Sequence, residues 1–445
     1  MSSGGFAAQP APGPGNLGRY ALIAAAGVAL ALVAAALAVV LSRNPPAWSI
    51  VAAASLGLAS VTALAVLRYD AAVALGMLCL GVVFVEPAPP DAVFGIVIAV
   101  ALVSGRLRID RTPVSVLGLT ALFLLLNVAS MIEATDPAVA ARFFAITVYL
   151  GIFAVWLSGY VDSERRARLI VRAYLVGALV SAVIGTVALL APFPGAEAFV
   201  VNERARALFK DPNVYGPFLV PIALILIEEI MRPRLLRSRR TIKLLALLVL
   251  MIGLVFSYSR GAWVNFAIGA VVMLGVMAVR KGGGRRAMAT ILVLTVGALG
   301  IVAVISVTGS LDFIQERAQR QSYDTERFQA QRRGIEFGET HVFGIGPGQF
   351  EVLTPVVSHN TYVRTLGEQG VLGLFAFVSL IFATLVIAGR NAAMGRDTYG
   401  IGAAPLLGAW AGLAVESFFV DTLHWRHLWV VAGLIWAGAM VTGRR

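Results

Sequence analysis

Charge is scarce in this sequence. Only 13% of its 445 residues are Asp, Glu, Lys or Arg, against 59% hydrophobic residues. A soluble domain carries about 25% charged residues to cover its surface, so a water-soluble fold is excluded. There is one cysteine, Cys79, inside an apolar run, which excludes a disulfide framework and a cysteine metal site. Also missing are an Asp-x-Asp pair, a His-Glu-x-x-His helix and a Gly-x-x-x-x-Gly-Lys loop. Sugar-nucleotide transferases that hold a diphosphate through a metal usually need the first of these. An enzyme handling a diphosphate here has to neutralise it with arginine instead, and neither a metal nor a cofactor is expected. The net charge of +12 is compatible with nucleic acid as a partner. In a chain this apolar, however, the distribution of charge over loops is the more informative quantity, and no nucleic-acid role is expected.

Long apolar runs are abundant. They are long enough to cross a hydrocarbon core as helices, so the fold class is an all-α polytopic membrane protein of about 12–14 transmembrane helices. Candidate spans lie near 20–41, 48–67, 71–85, 91–105, 113–132, 138–158, 168–191, 213–230, 242–257, 262–279, 287–308, 360–388, 400–418 and 428–442. Before them, residues 1–16 are uncharged and rich in Gly, Pro, Ala and Ser, which reads as a disordered tail. The chain then divides into N-terminal helices (17–192), central helices (193–309), a long polar loop (310–358) and C-terminal helices (359–445).

The loops alternate in charge. Those on one side, taken with both termini, carry 23 Lys/Arg against 7 Asp/Glu, and those on the other carry 13 against 17. The positive-inside rule puts both termini in the cytoplasm. The outward loops are then 86–91, 133–142, 192–212, 256–262, 310–358 and 416–427. The longest, 310–358, is the main polar interruption in the chain, and such loops often carry function. Its pattern predicts two short amphipathic helices, one with Leu311, Ile314 and Ala318 on its apolar face and one with Phe328, Gln331 and Ile335.

Three outward segments hold the candidate chemistry. The first contains Arg204, Arg206, Lys210, Asp211, Pro212 and Asn213. Asp211-Pro212 is a helix start, with aspartate as cap and proline in the first position. The segment offers cations and a helix N-terminus to an anionic phosphate; alternatively it is a capped helix with snorkelling basic residues. The second is Ser257-Tyr258-Ser259-Arg260-Gly261, a tight hairpin that keeps Arg260 near the interface with no acid adjacent in sequence. Its partner is a distant acid or a bound anion. The third is His359-Asn360-Thr361-Tyr362, at the start of the span 360–388. His359, Tyr362, Leu366, Gly370 and Gly373 share one helical face by spacing. Arg364 and Glu368 are four apart and can pair with each other. A fourth cluster, Glu416, Asp421, His424, Arg426 and His427 with Trp425 and Trp429, fits structural pairing at the interface.

Taken together these motifs resemble the O-antigen ligase and polymerase family of bacterial envelope glycan transferases. The similarity rests on Arg204-x-x-Ala-x-Phe-x-Asp-Pro-Asn, Ser259-Arg260-Gly261, Gly344-x-Gly346-x-Gly348-x-Phe350, and His359-Asn-x-Tyr followed by Glu368-x-Gly370-x-x-Gly373. It covers residues 200–390 directly. One departure is Ala207, where the family often has glycine, and it leaves open whether Arg204 or Arg206 is the matching arginine. The resemblance implies a donor glycan on a polyprenyl diphosphate and an acceptor hydroxyl on a glycan or lipid A core. It also implies metal-free transfer at the outer face of the bacterial cytoplasmic membrane. Arg260 with Arg204 or Arg206 would grip the diphosphate and His359 would act on the acceptor hydroxyl. Lys210, Asn213, Ser259, Asn360, Tyr362 and Glu368 would support them. A polymerase or protein O-oligosaccharyltransferase of the same family is an alternative. A lipid-linked glycan transporter or flippase is an alternative of a different class, but transporters place ionisable groups or broken helices near the midplane, whereas the candidate groups here gather at one face, with Glu368 the main exception.

The sidedness has a direct test. A cysteine placed at position 322 is expected to react with a membrane-impermeant reagent in intact cells; protection there would invert the topology.

Overall fold

The computed structural model describes residues 47–279 apart from 86 and 192, the isolated positions 284, 288, 291 and 295, and residues 323–441. The tail 1–16, the spans at 20–41 and 287–308, the helix expected around Leu311, Ile314 and Ala318, and position 322 lie outside the described residues. The fold is all-α. The helices are α1 (Ala47–Leu67), α2 (Tyr69–Leu78), α3 (Pro89–Val103), α4 (Val114–Ser130), α5 (Pro137–Tyr160), α6 (Glu164–Leu190), α7 (Pro212–Met231), α8 (Arg240–Phe256), α9 (Arg260–Val279), α10 (Tyr323–Thr340), α11 (Phe350–Leu353), α12 (Thr361–Ala393), α13 (Ala403–Glu416) and α14 (Arg426–Ala439). Each candidate span that falls on described residues contains a helix, although in the span expected at 71–85 helical structure ends at Gly81. In lipid nothing but the chain itself can satisfy backbone N–H and C=O groups, so an apolar run closes its own ladder.

Six helices among the described residues are long and apolar enough to cross a membrane: Val114–Glu133, Pro137–Tyr160, Glu164–Leu190, Pro212–Met231, Arg260–Val279 and Thr361–Ala393. Shorter apolar helices cover Ala54–Leu67, Tyr69–Gly81, Pro89–Val103 and Ala403–Glu416. The α7 span is 89% buried inside the protein, whereas the other five lie between 28% and 39%. It is therefore the central post of the bundle, and the others present a face to lipid. Its start is as the sequence predicts: Asp211 caps it by accepting from Asn213 N, and Pro212 takes the first position.

Contacts between loops sort them to two ends. At one end Arg165 bonds Asp70, Arg111 and Arg166 reach Asp162, and Arg234 bonds Asp397. At the other Arg426 bonds Asp91 through Nε at 2.6 Å, and Gln349 exchanges two hydrogen bonds with the Asp136 backbone. There too Val83 pairs with Phe209, and Arg364 joins Glu351 to Asp421. This grouping is the one the charge alternation gives.

Two glycine motifs turn out to fit each other. Helix α12 is broken at Gly370, whose φ of 69° and ψ of −175° leave the helical region. The turn 344–348 docks onto the break: Ile345 N donates to Gly367 O and Gly346 N to Glu368 O, both at 2.9 Å. A Cβ on Gly344 would stand 2.4 Å from the Glu368 carbonyl, and one on Gly370 would stand 2.1 Å from Val342 O. Both glycines also hold positive φ, so neither a side chain nor an ordinary conformation is tolerated there. The freed carbonyls of the broken helix are thus satisfied by the loop.

Two expectations need correction. The face running from His359 to Gly373 is not continuous. His359 precedes the helix in a left-handed conformation (φ 47°), Asn360 is the cap, and the break at Gly370 rotates the remainder of the helix. In α10 the inward face is not Phe328 and Ile335, which are 59% and 44% exposed. It is Ala330, Gly334 and Gly338, and a Cβ on either glycine would meet Val363 or Leu366 at 2.5 Å. Small residues win because α10 lies flat on α12, and only they admit so close an approach.

Gly370→Ala should therefore lower stability by about 2–4 kcal/mol, combining a strained φ with a backbone clash. Thermal unfolding of the purified protein would read this as a lower midpoint; an unchanged midpoint would mean that the loop does not dock at the break.

Candidate functional site

Arg204 is placed by a minimal hairpin. Val200–Val201 pairs antiparallel with Arg204–Ala205, in the register Val200 to Ala205 and Val201 to Arg204. The two-residue turn, Asn202 and Glu203, has φ of 47° and 59°, the doubly positive arrangement that matches strand twist. Ala205 and Ala207 are buried against α6, where a Cβ on Gly185 would lie 3.3 Å from each. Arg204 then points inward: Nε donates to Ser257 O at 3.0 Å and Nη2 to Asn213 Oδ1 at 2.8 Å. It ties the first candidate segment to the second. Arg206 is half-buried and holds its own loop, donating to Ala198 O at 3.2 Å and Lys210 O at 3.4 Å. Lys210 is exposed.

The second segment is a tight turn between α8 and α9. Ser257 and Ser259 are fully buried, Tyr258 has φ 46°, and Arg260 opens α9 half-buried. A Cβ on Gly216 of α7 would lie 2.6 Å from Ser257 Oγ and 2.8 Å from Ala262 Cβ, so the start of α7 is pressed against this turn. Beneath it, Glu416 is buried, accepts from Asn265 Nδ2 at 2.6 Å, and puts its other oxygen next to Gly261.

The third segment presents His359 just outside α12. The side chain of Asn360 accepts from Tyr362 N and Val363 N, fixing the helix start. Thr361 N donates to Ser417 O, and Tyr362 OH donates to Ala414 O at 2.7 Å, tying that start to α13. Glu368 lies in a buried cluster in which one guanidinium meets three carboxylates. Arg364 is 2.8 Å from Glu351, 3.1 Å from Glu368 and 2.6 Å from Asp421, and it lies over the Phe143 ring at 5.1 Å. The four-residue pairing read from sequence is present, but as one part of this larger cluster. Asn360, Tyr362 and Glu368 thus hold the third segment in place.

His359 is half-buried, and its surroundings join the third segment to the first. Burial pushes its pKa down from the ordinary 6.5 to about 4, and Arg327 of α10 pushes the same way, against Asp211 and Asp421. The imidazole is neutral at pH 7 and lies within electrostatic reach of the first segment, the long loop and the α13–α14 hairpin. Arg327 escaped the sequence reading. It lies one turn before Ala330 on the small-residue face of α10, and that face is visible only once Gly334 and Gly338 are seen as contacts.

Backbone strain concentrates here. Six non-glycine residues among those described have positive φ: Asn202, Glu203, Ala207, Tyr258, His359 and Tyr399. Ala207, Tyr258 and His359 belong to the three candidate segments, and Asn202 and Glu203 form the turn just before Arg204. Such conformations cost about 1–3 kcal/mol each and persist where surrounding contacts over-determine them, often at functional sites. Among the described residues no group of three or more His, Cys, Asp or Glu is placed to hold a metal ion.

His359 should titrate near pH 4 by histidine NMR, and only four histidines need assigning. Arg327→Gln should move that titration upward; a histidine that titrates as in the parent would place Arg327 away from it.

A comparison with known families matches residues 245–378 to the family described as O-antigen ligase. The match runs from α8 into α12 and takes in Arg260, the glycine turn and His359, but leaves Arg204 and Arg206 before its start. No curated protein matches the chain.

Proposed function

We propose that the chain, whose residues 245–378 are similar to the family described as O-antigen ligase, is a glycan transferase of that ligase and polymerase type, and that it carries out a specific reaction. The protein moves a glycan from a polyprenyl diphosphate to an acceptor hydroxyl of lipid A core. It does so without a metal, at the outer face of a bacterial cytoplasmic membrane. The observation that carries this reading is the meeting of the three segments at one end of the bundle. Arg204 bonds the Ser257 carbonyl three residues before Arg260, and Asp211, in the first segment, acts on His359.

In the proposed step the acceptor oxygen attacks the sugar carbon that bears the diphosphate. The new C–O bond forms as the bond to the diphosphate breaks. Arg204 and Arg260 meet the charge that grows on the leaving group, inside a partly dry cleft where fixed donors are most effective. His359 takes the proton of the attacking hydroxyl. Its depressed pKa keeps it unprotonated and ready, and the anionic donor, once bound, raises its basicity towards neutrality. Helix α10, which carries Arg327, covers the sugar. Arg204 is favoured over Arg206 because Ala207 holds φ 49°, the conformation glycine prefers. That aligns Ala207 with the family's glycine and Arg204, three residues earlier, with its arginine. Arg206 and Lys210 then lie at the rim.

A transporter gains one observation, the broken helix α12 with buried charges beside the break. Here the carbonyls freed by the break are taken up by the backbone N–H groups of residues 345–346, which favours surface chemistry.

The test is a mass-spectrometric product assay. Purified protein is given a polyprenyl-diphosphate oligosaccharide with and without lipid A core. Transfer to lipid A core is expected, lost at least about 100-fold in His359→Ala and Arg260→Ala, and insensitive to EDTA. A ladder of longer lipid-linked glycans would make the protein a polymerase. EDTA inhibition reversed by Mg²⁺ would sink the arginine clamp. No product in protein that still binds the donor would favour transport.

A further inference from the structure

A groove of about 880 Å³ runs between α6 and the pair α1–α2. Its walls are apolar, with Leu64 from α1, Leu75 and Leu78 from α2, and Leu169 and Val176 from α6; its far end reaches Leu208. From Arg165 to Ser181 it follows α6 for seventeen residues, a rise of about 24 Å, most of a hydrocarbon core in depth. The close packing of α2 on α6 forms its floor, where a Cβ on Gly177 would stand 2.4 Å from Leu78 O.

The near end is basic. Arg165, Arg168 and Arg172, in the first turns of α6, line the mouth. An adjoining cleft of about 590 Å³ adds Arg68, Arg106 and Arg166, with Asp70 the carboxylate in its wall. Three acids are spent on this group: Asp70 on Arg165 and Arg166, Asp162 on Arg166, and Glu164 on Arg168. Positive charge remains in excess. Arg168 Nε is buried with no hydrogen-bond partner among the described residues, and Arg172 is exposed.

We propose that this groove binds an anionic phospholipid, its acyl chains along α6 and its phosphate against Arg165, Arg168 and Arg172. Charge complementarity selects this occupant. Basic pockets between membrane helices suit anionic head groups, and the N-terminus of α6 adds its dipole. A polyprenyl tail descending from the candidate site would carry its phosphates at the Leu208 end, leaving six arginines beside bare hydrocarbon. The lipid would brace the helix whose opposite end supports the Arg204 hairpin through Gly185.

The full-length protein is reconstituted into phosphatidylcholine vesicles containing either phosphatidylglycerol or phosphatidylcholine with a photoreactive acyl chain. Cross-links to residues 64–82 and 165–181 are expected from phosphatidylglycerol well above those from phosphatidylcholine. They should fall by about fivefold per arginine removed in Arg168→Gln/Arg172→Gln. Equal cross-linking by both lipids, retention of the signal in the variant, or its displacement by excess polyprenyl phosphate would overturn the proposal. If the double variant does not give a monodisperse protein, the exposed Arg172→Gln alone serves the same comparison.

Discussion

A single buried guanidinium gathers much of the end of the bundle that carries the three candidate segments. Arg364 reaches Glu351 of the long loop, Glu368 of its own helix and Asp421 of the α13–α14 hairpin, and lies over Phe143 of α5. A charge within a membrane protein is costly unless matched, and three carboxylates around one cation are costly in turn without it. Each member therefore depends on the rest. Breaking a buried pair by removing one partner typically costs about 3–5 kcal/mol. Here the loss would release the loop, the hairpin and the start of α12 together.

The glycine junction does for the backbone what Arg364 does for charge. A helix interrupted at Gly370 has unpaired carbonyls in an apolar setting, and the loop 344–348 supplies the N–H groups that satisfy them. The loop is held by the helix and the helix is completed by the loop. This explains why two glycine-rich motifs far apart in sequence occur in one chain: neither is needed without the other. It also fixes the stretch that leads to His359, because residues 350–358 are pinned between this junction and the cap of α12.

The strained turns arise from the same shortage of space. Arg204 follows Glu203 (φ 59°), Arg260 lies two residues after Tyr258 (φ 46°), and His359 itself has φ 47°. Residues on ideal helices would point along the bundle or into lipid. The turn that carries Arg204 instead lets it reach the Ser257 carbonyl of the second segment. The pKa of His359 is depressed chiefly by burial, with Arg327 adding to the effect and Asp211 and Asp421 opposing it.

The sequence by itself determined the membrane class, the helical spans, the grouping of loops by charge and the start of α7. These depend on local composition and on periodicity, which one stretch of chain decides alone. Arg204, Arg206, Arg260 and His359 could be picked out as candidates because polar groups are rare in such a chain. Tertiary structure alone decided what each of them touches. Arg364 and Glu368 are a simple pair by spacing, but Glu351 and Asp421 join them from 13 and 57 residues away. Phe328 and Ile335 look like the inner face of α10 by hydrophobicity. The nearness of α12 instead gives that face to Ala330, Gly334 and Gly338, because close packing between helices selects for size before apolarity. Arg327 came to His359 by that same choice of face. No local rule reports it, since it depends on which side of one helix lies against another.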